Sequence, residues 1–323
     1  MCREHGIPNV PTVFRDLRAC LALMFLAPLV GEFLLGNVPI VALPALVFLV
    51  PMYGGAALLC RELARRTGRG LPTMLLLGAA FGVLLAGVID QSMFNPDFEG
   101  HDFQATTPIP ALGISALKAL SFPVGHAVWS IGTPIVLVES SAWSRRTTPW
   151  LGVRGLIAVG VVFVAGSAAV FRFMYRKEGF LASPAQLGSA ILVAALLTTI
   201  AFRLPRTGSR RDRWVPHPVL LGIGSFVATS VFSGMEDSWT AFAVDVVMIV
   251  VIASALVWFA NSTRWRAGHR FGTAAGALLT YAWLGWFLVV PAPPFLLAHG
   301  VLVVLFLVLL VVCGRKVRLT AGP

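Results

Sequence analysis

Charge is what this sequence has least of. Asp, Glu, Lys and Arg make up 12% of its 323 residues, against roughly 25% in an ordinary soluble domain. No polar stretch is long enough to form an extramembrane domain. Cysteine is also scarce, with Cys2, Cys20, Cys60 and Cys313 alone and no CxxC pair to hold zinc. All four fall at one proposed face or in its leaflet, where a reducing compartment excludes disulfides. Missing too are G-x-x-x-x-G-K-[ST], H-E-x-x-H, a nucleophile elbow and a paired D-D-x-x-D element. Their absence removes soluble-type nucleotide chemistry, and neither a metal nor a cofactor is expected.

Apolar residues fill the space. They make up 57% of the chain, and the mean hydropathy is +0.84. Ten runs are long enough to cross a bilayer, which needs about 20 apolar residues. They lie near Ala19–Asn37, Val38–Cys60, Leu71–Ile89, Leu120–Trp143, Leu151–Phe173, Leu187–Leu204, Val219–Ser233, Trp239–Ala260, Phe271–Val290 and Phe295–Cys313. The expected fold is all-α: a polytopic transmembrane helix bundle of about ten spans, forming one integral membrane domain over residues 1–323. Spans one and two, and nine and ten, are expected to be tight hairpins. The first span, preceded by Arg15 and Arg18, lacks a small-residue cleavage site and is read as uncleaved.

The net charge of +11 does not indicate nucleic acid, because the basic residues form small clusters between spans rather than one patch. Alternate loops carry 21 of the 25 Lys and Arg, and the other side keeps only Lys118, Arg172, Arg176 and Lys177. The positive-inside rule then places both termini in the cytoplasm of a bacterial plasma membrane. Asp97, Glu99, Asp102, Glu236 and Asp237 collect on the opposite, outer side. Trp143, Trp150, Trp214, Trp239 and Trp265 sit at span ends, as headgroup-level rings do. Membrane lipids are therefore expected partners. The sequon at Asn261 falls on the cytoplasmic side and carries no meaning.

Small residues mark helix contacts at Gly78-x3-Gly82-x3-Ala86 in span three and Gly272-x3-Gly276 in span nine. Span two holds Pro39, Pro44 and Pro51 before Gly54-Gly55, so it is expected to be kinked or broken.

Ionisable groups in hydrocarbon cost at least about 2.5–3.5 kcal/mol on insertion scales, so each needs a reason. Glu32, Asp90, His126, Asp245 and His299 come from five spans and fall at a similar depth in the outer leaflet. His126, Ser130 and Thr133 follow i, i+4, i+7 and are expected to share one helix face. These seven residues are the candidates for substrate or proton binding around one outer cavity. The alternative is local pairing or snorkelling of each group near the interface. Glu139, close in sequence to Arg145 and Arg146, reads as an interfacial ion pair. Asp97, Glu99, His101 and Asp102 have no metal-motif spacing and read as a solvated acidic loop.

The segments "LVGEFLLGNVP", "PMYGGAALL", "RELARRTGRG", "QSMFNP" and "GHAVWSIGTPIVLVE" resemble a family of multi-pass membrane proteins from actinobacteria. The resemblance covers roughly the first 140 residues and implies a membrane topology without an activity. Phe122-x3-His126 also matches the F-x-x-x-H element of CAAX-type intramembrane proteases. However, the acidic pair those enzymes carry upstream is replaced by Leu85-Ala86-Gly87 in span three, so proteolysis is not expected.

Three functions remain open. The first is a proton-coupled secondary transporter of a small or amphipathic molecule. The second is a membrane enzyme acting on a lipid or isoprenoid, with Trp129, Trp283 and Trp286 facing a carbocation. The third is a non-catalytic subunit or immunity protein.

Overall fold

A computed structural model describes residues 16–141, 145–204, 206 and 211–320. Among the described residues there are ten long helices: α1 Leu17–Leu34, α2 Ile40–Arg66, α3 Leu71–Ile89, α4 Ala116–Ser141 and α5 Val153–Glu178, then α6 Pro184–Arg203, α7 Pro218–Gly234, α8 Trp239–Ala260, α9 Ala267–Leu288 and α10 Pro293–Thr320. Nine are long and apolar enough to cross a bilayer. The remaining one, α7, has 17 residues and spans about 25 Å. The protein is an all-α polytopic bundle, as expected. Cys2 and Trp143 lie outside the described residues.

Local chemistry explains where helix ends differ from the apolar runs. α1 ends at Leu34, because Gly36 adopts φ +91° and turns the chain directly into α2. α2 continues past Cys60 to Arg66, carrying Arg61 and Glu62 into a buried ion-pair network. α4 starts at Ala116, where the Ser115 hydroxyl accepts from the Lys118 amide at 3.3 Å as an N-cap. α5 runs on to Glu178, since Arg176 and Lys177 suit a helix C-terminus. Gly179 then closes it with φ +64°.

The centre of the bundle is α3 and α4. Two-thirds of the most apolar stretch of each is buried, against 6% of that of α8. One apolar core joins α1–α5, a second joins α1, α4, α9 and α10, and a third packs α3 against α6. α1 and α4 belong to both of the first two cores, so residues between them lie at the junction. The outward faces of α5, α6, α8 and α10 expose Val164, Leu192, Val247, Val250 and Leu305, the composition that acyl chains tolerate.

Both small-residue stripes are close contacts. A Cβ on Gly276 would lie 2.2 Å from the Gly222 carbonyl oxygen of α7, and one on Gly82 would lie 2.7 Å from Pro123 Cα of α4. Loops expected to share a face also meet. Arg264 pairs with Asp212, the Asp16 amide bonds the Trp150 carbonyl, and Lys118 pairs with Asp237. Residues 90–115 form a folded cap with a short antiparallel hairpin, β1 Pro108–Ile109 and β2 Ile114–Ser115. Within the cap, Glu99 is bound by Lys177, and no group suited to a metal occurs among the described residues.

Candidate functional site

Each of the first four helices contains a π-helical turn: Leu29–Leu34 in α1, Val50–Gly54 in α2, Leu85–Ile89 in α3 and His126–Gly132 in α4. Such turns are rare and tend to occur at functional sites. Proline accounts for three of them, because a residue without an N–H breaks the regular ladder. Pro28 precedes the first, Pro51 lies within the second, and Pro123 precedes the fourth, with Pro134 just after it. The third closes with the Asp90 amide bonding the Leu85 carbonyl five residues back at 2.9 Å. α2 is broken further: a 3-10 segment at Ile40–Ala45 contains the non-helical Ala42.

The π turns carry the polar residues. The Tyr53 hydroxyl donates to Glu32 Oε1, joining α2 to α1. Asn37 Nδ2 donates to the other carboxylate oxygen at 3.5 Å. The Tyr53 ring lies 5.8 Å from the His126 ring, centre to centre. Phe81 stands edge-on to both, at 5.6 and 5.9 Å. His126 Nδ1 and Ser130 Oγ are hydrogen-bonded at 3.1 Å. Gly31 makes room for this pair, since a Cβ there would lie 2.5 Å from Ser130 Oγ. A carboxyl, a phenol and an imidazole thus follow one another beside the Phe81 ring, an arrangement able to hold a proton away from bulk water.

Of the seven candidates, Glu32, His126 and Ser130 belong to this cluster. Asp90 lies at the end of α3 and accepts from the Ser92 amide at 2.9 Å. Thr133 is buried, but the π turn before it breaks the 3.6 repeat on which its shared face with His126 rested. Asp245 lies elsewhere, lining a cavity of about 230 Å³ with Trp129 and Tyr281. These two rings stack at 4.2 Å. His299 is buried against α9, edge-on to Trp286 at 5.1 Å and beside Gly285. The candidates therefore occupy three settings: a junction cluster, an aspartate on a cavity wall, and a histidine packed against α9.

Tyr53 was not legible as a site residue, because a tyrosine in an apolar run looks like packing. Its signal was the proline and glycine crowded around it in "VPMYGG".

A second polar centre lies at the other end of α2. Arg61 and Glu62 are fully buried and paired at 2.6 Å. Arg61 Nε donates to Glu139 at 3.1 Å, and Arg65 Nη2 donates to the same carboxylate at 2.6 Å. Arg61 Nη2 reaches the carbonyls of Arg145, Arg146 and Thr148. Glu62 accepts from the Trp150 and Leu151 amides at 2.8 and 3.0 Å. Glu139 is thus buried and bound to arginines of another helix, where an interfacial pair with its sequence neighbours was expected. The donors and acceptors of Arg61 and Glu62 are well occupied, so the network serves to lock the α4–α5 loop onto α2.

A family model described as an uncharacterized membrane protein family matches residues 21–322, well beyond the first 140. No curated protein and no solved structure matches the chain.

Proposed function

The chain belongs to an uncharacterized membrane protein family, and from that premise we propose that it is a proton-coupled secondary transporter of a small or amphipathic molecule. On the arginine asymmetry it sits in a bacterial plasma membrane, of the actinobacterial kind its N-terminal segments resemble, with both termini cytoplasmic.

The observation that carries this reading is the coincidence of the Glu32–Tyr53–His126–Ser130 cluster with the π turns of α1, α2 and α4. When Glu32 is ionised, the Tyr53 hydroxyl donates to a carboxylate in a charge-assisted bond that ties α1 to α2. Protonation of Glu32 weakens that tie. The helices it joins are already irregularly wound there, so a change of winding is the two-state element that the proton biases.

An enzyme reading receives less support. Ser130 is buried, with the α1 backbone at Gly31 closing over it, so no substrate carbonyl reaches its oxygen. Trp283 and Trp286 lie partly exposed on α9 while Trp129 is buried against Tyr281, so the three do not surround one cation site.

The test uses purified protein in proteoliposomes under an imposed pH gradient, with panels of amphipathic amines, carboxylates and neutral solutes. Wild type carries gradient-driven flux for one class, and Glu32→Gln abolishes it. Absence of flux with every class, or equal flux in the variant, refutes the proposal.

A further inference from the structure

α8 touches the rest of the bundle lightly. Its buried residues are Ala241 and Asp245. Placing a carboxylate at one of the few contact points of a lipid-facing helix is costly, and an alanine or leucine would pack there without that cost. Asp245 is 1% exposed, and its Oδ1 has no hydrogen-bond partner.

It faces the cavity of about 230 Å³ between the N-terminal halves of α4 and α8 and the C-terminal ends of α7 and α9. Phe122, Trp129, Phe232 and Tyr281 supply aromatic wall. The charged groups on the lining are Lys118, Asp237 and Asp245. Lys118 and Asp237 pair with each other at 2.6 Å near the mouth, which leaves the Asp245 carboxylate as the one charge without a counterion on that lining. A buried acid without a partner, walled by aromatic rings, has the chemistry that recognises a cation with an apolar body: the charge meets the carboxylate, and the rings attract it through their negative faces.

We infer that this pocket binds a monovalent organic cation, an amine or quaternary ammonium carrying an apolar group. As the substrate site it rests on the transport reading. As a binding site it stands without it, because binding is measured at equilibrium with no gradient.

Full-length protein in phosphatidylcholine nanodiscs is titrated calorimetrically with benzyltrimethylammonium, its uncharged isostere neopentylbenzene, and benzenesulfonate. Wild type is expected to bind the cation, with both other probes at least about tenfold weaker. Asp245→Asn, similar in size but uncharged, is expected to lose at least about tenfold in affinity for the cation. Asp212→Asn, on a surface loop between α6 and α7, retains wild-type affinity and melting temperature. The inference is overturned by absent cation binding to wild type, by equal binding of the isostere or the sulfonate, or by equal affinity in Asp245→Asn. Cation binding without proton-driven flux would refute the transport reading alone.

Discussion

The Tyr53 hydroxyl donates to the Glu32 carboxylate across the α1–α2 interface, and both residues lie in π turns. Twenty-one positions apart in the chain, they tie the first two spans to each other.

Removing either partner therefore carries a cost that removing both does not double. Tyr53→Phe leaves a buried carboxylate short of a donor and is expected to cost about 1–3 kcal/mol. The Glu32→Gln, Tyr53→Phe double variant is expected to lose less than the sum of the single losses. Denaturation in detergent measures all three. Strict additivity would show that the pair does not interact.

The Arg61 network predicts a larger effect. Arg61→Ala strands Glu62 and part of the Glu139 interaction in a buried site, at about 3–5 kcal/mol. Arg61→Lys does not rescue it, because one ammonium cannot replace the guanidinium that reaches Glu62, Glu139 and three loop carbonyls while lying 3.2 Å from the centre of the Trp150 ring. Thermal unfolding of the purified variants checks this, and a lysine variant as stable as wild type would contradict it.

Gly276→Leu is expected to separate α7 from α9, since even a Cβ would lie 2.2 Å from the Gly222 carbonyl oxygen. Yield of folded protein after purification should fall severely, whereas Glu32→Gln should purify normally and lose flux. Unchanged flux in Glu32→Gln, or a normal yield of Gly276→Leu, would contradict the respective expectation.

At the surface, the Arg264 guanidinium holds the Asp212 carboxyl below the usual carboxylate range. Its contribution is present above that range and fades as pH falls through the lowered value. The pair is exposed and screened by salt, so Asp212→Asn is expected to leave the melting temperature at pH 7 unchanged within error. A marked loss would mean that the α6–α7 loop bears more of the fold than its exposure implies.

Sidedness is checked by labelling. In a cysteine-free background, Asp97→Cys should react with an impermeant maleimide added outside intact cells, and Asp212→Cys only after lysis. The reverse result would invert the topology.

The helices were largely legible in the sequence because a bilayer imposes a length and a composition on each span, as in Leu71–Ile89, whose ends match the apolar run. Gly82 and Gly276 were legible as contacts because small residues at a four-residue spacing have few other uses in lipid. The site was legible only in part. Depth along a helix follows from counting, so Glu32 and His126 were found. Direction around a helix does not follow when the winding changes, so the different surroundings of Asp245 and His299 were hidden, as was the contact made by Tyr53. Glu139 was misplaced because sequence neighbours were the visible arginines, while its partners Arg61 and Arg65 come from another span.

Each π turn is in effect one surplus residue stored in a helix. Taking that residue up elsewhere along α4 would turn the side chains between the old and the new position by about 100° relative to the rest of the helix. His126 would then leave Tyr53 without any domain having to tilt. On the transport reading, four such turns in neighbouring helices would let the bundle exchange part of its interior lining by rewinding.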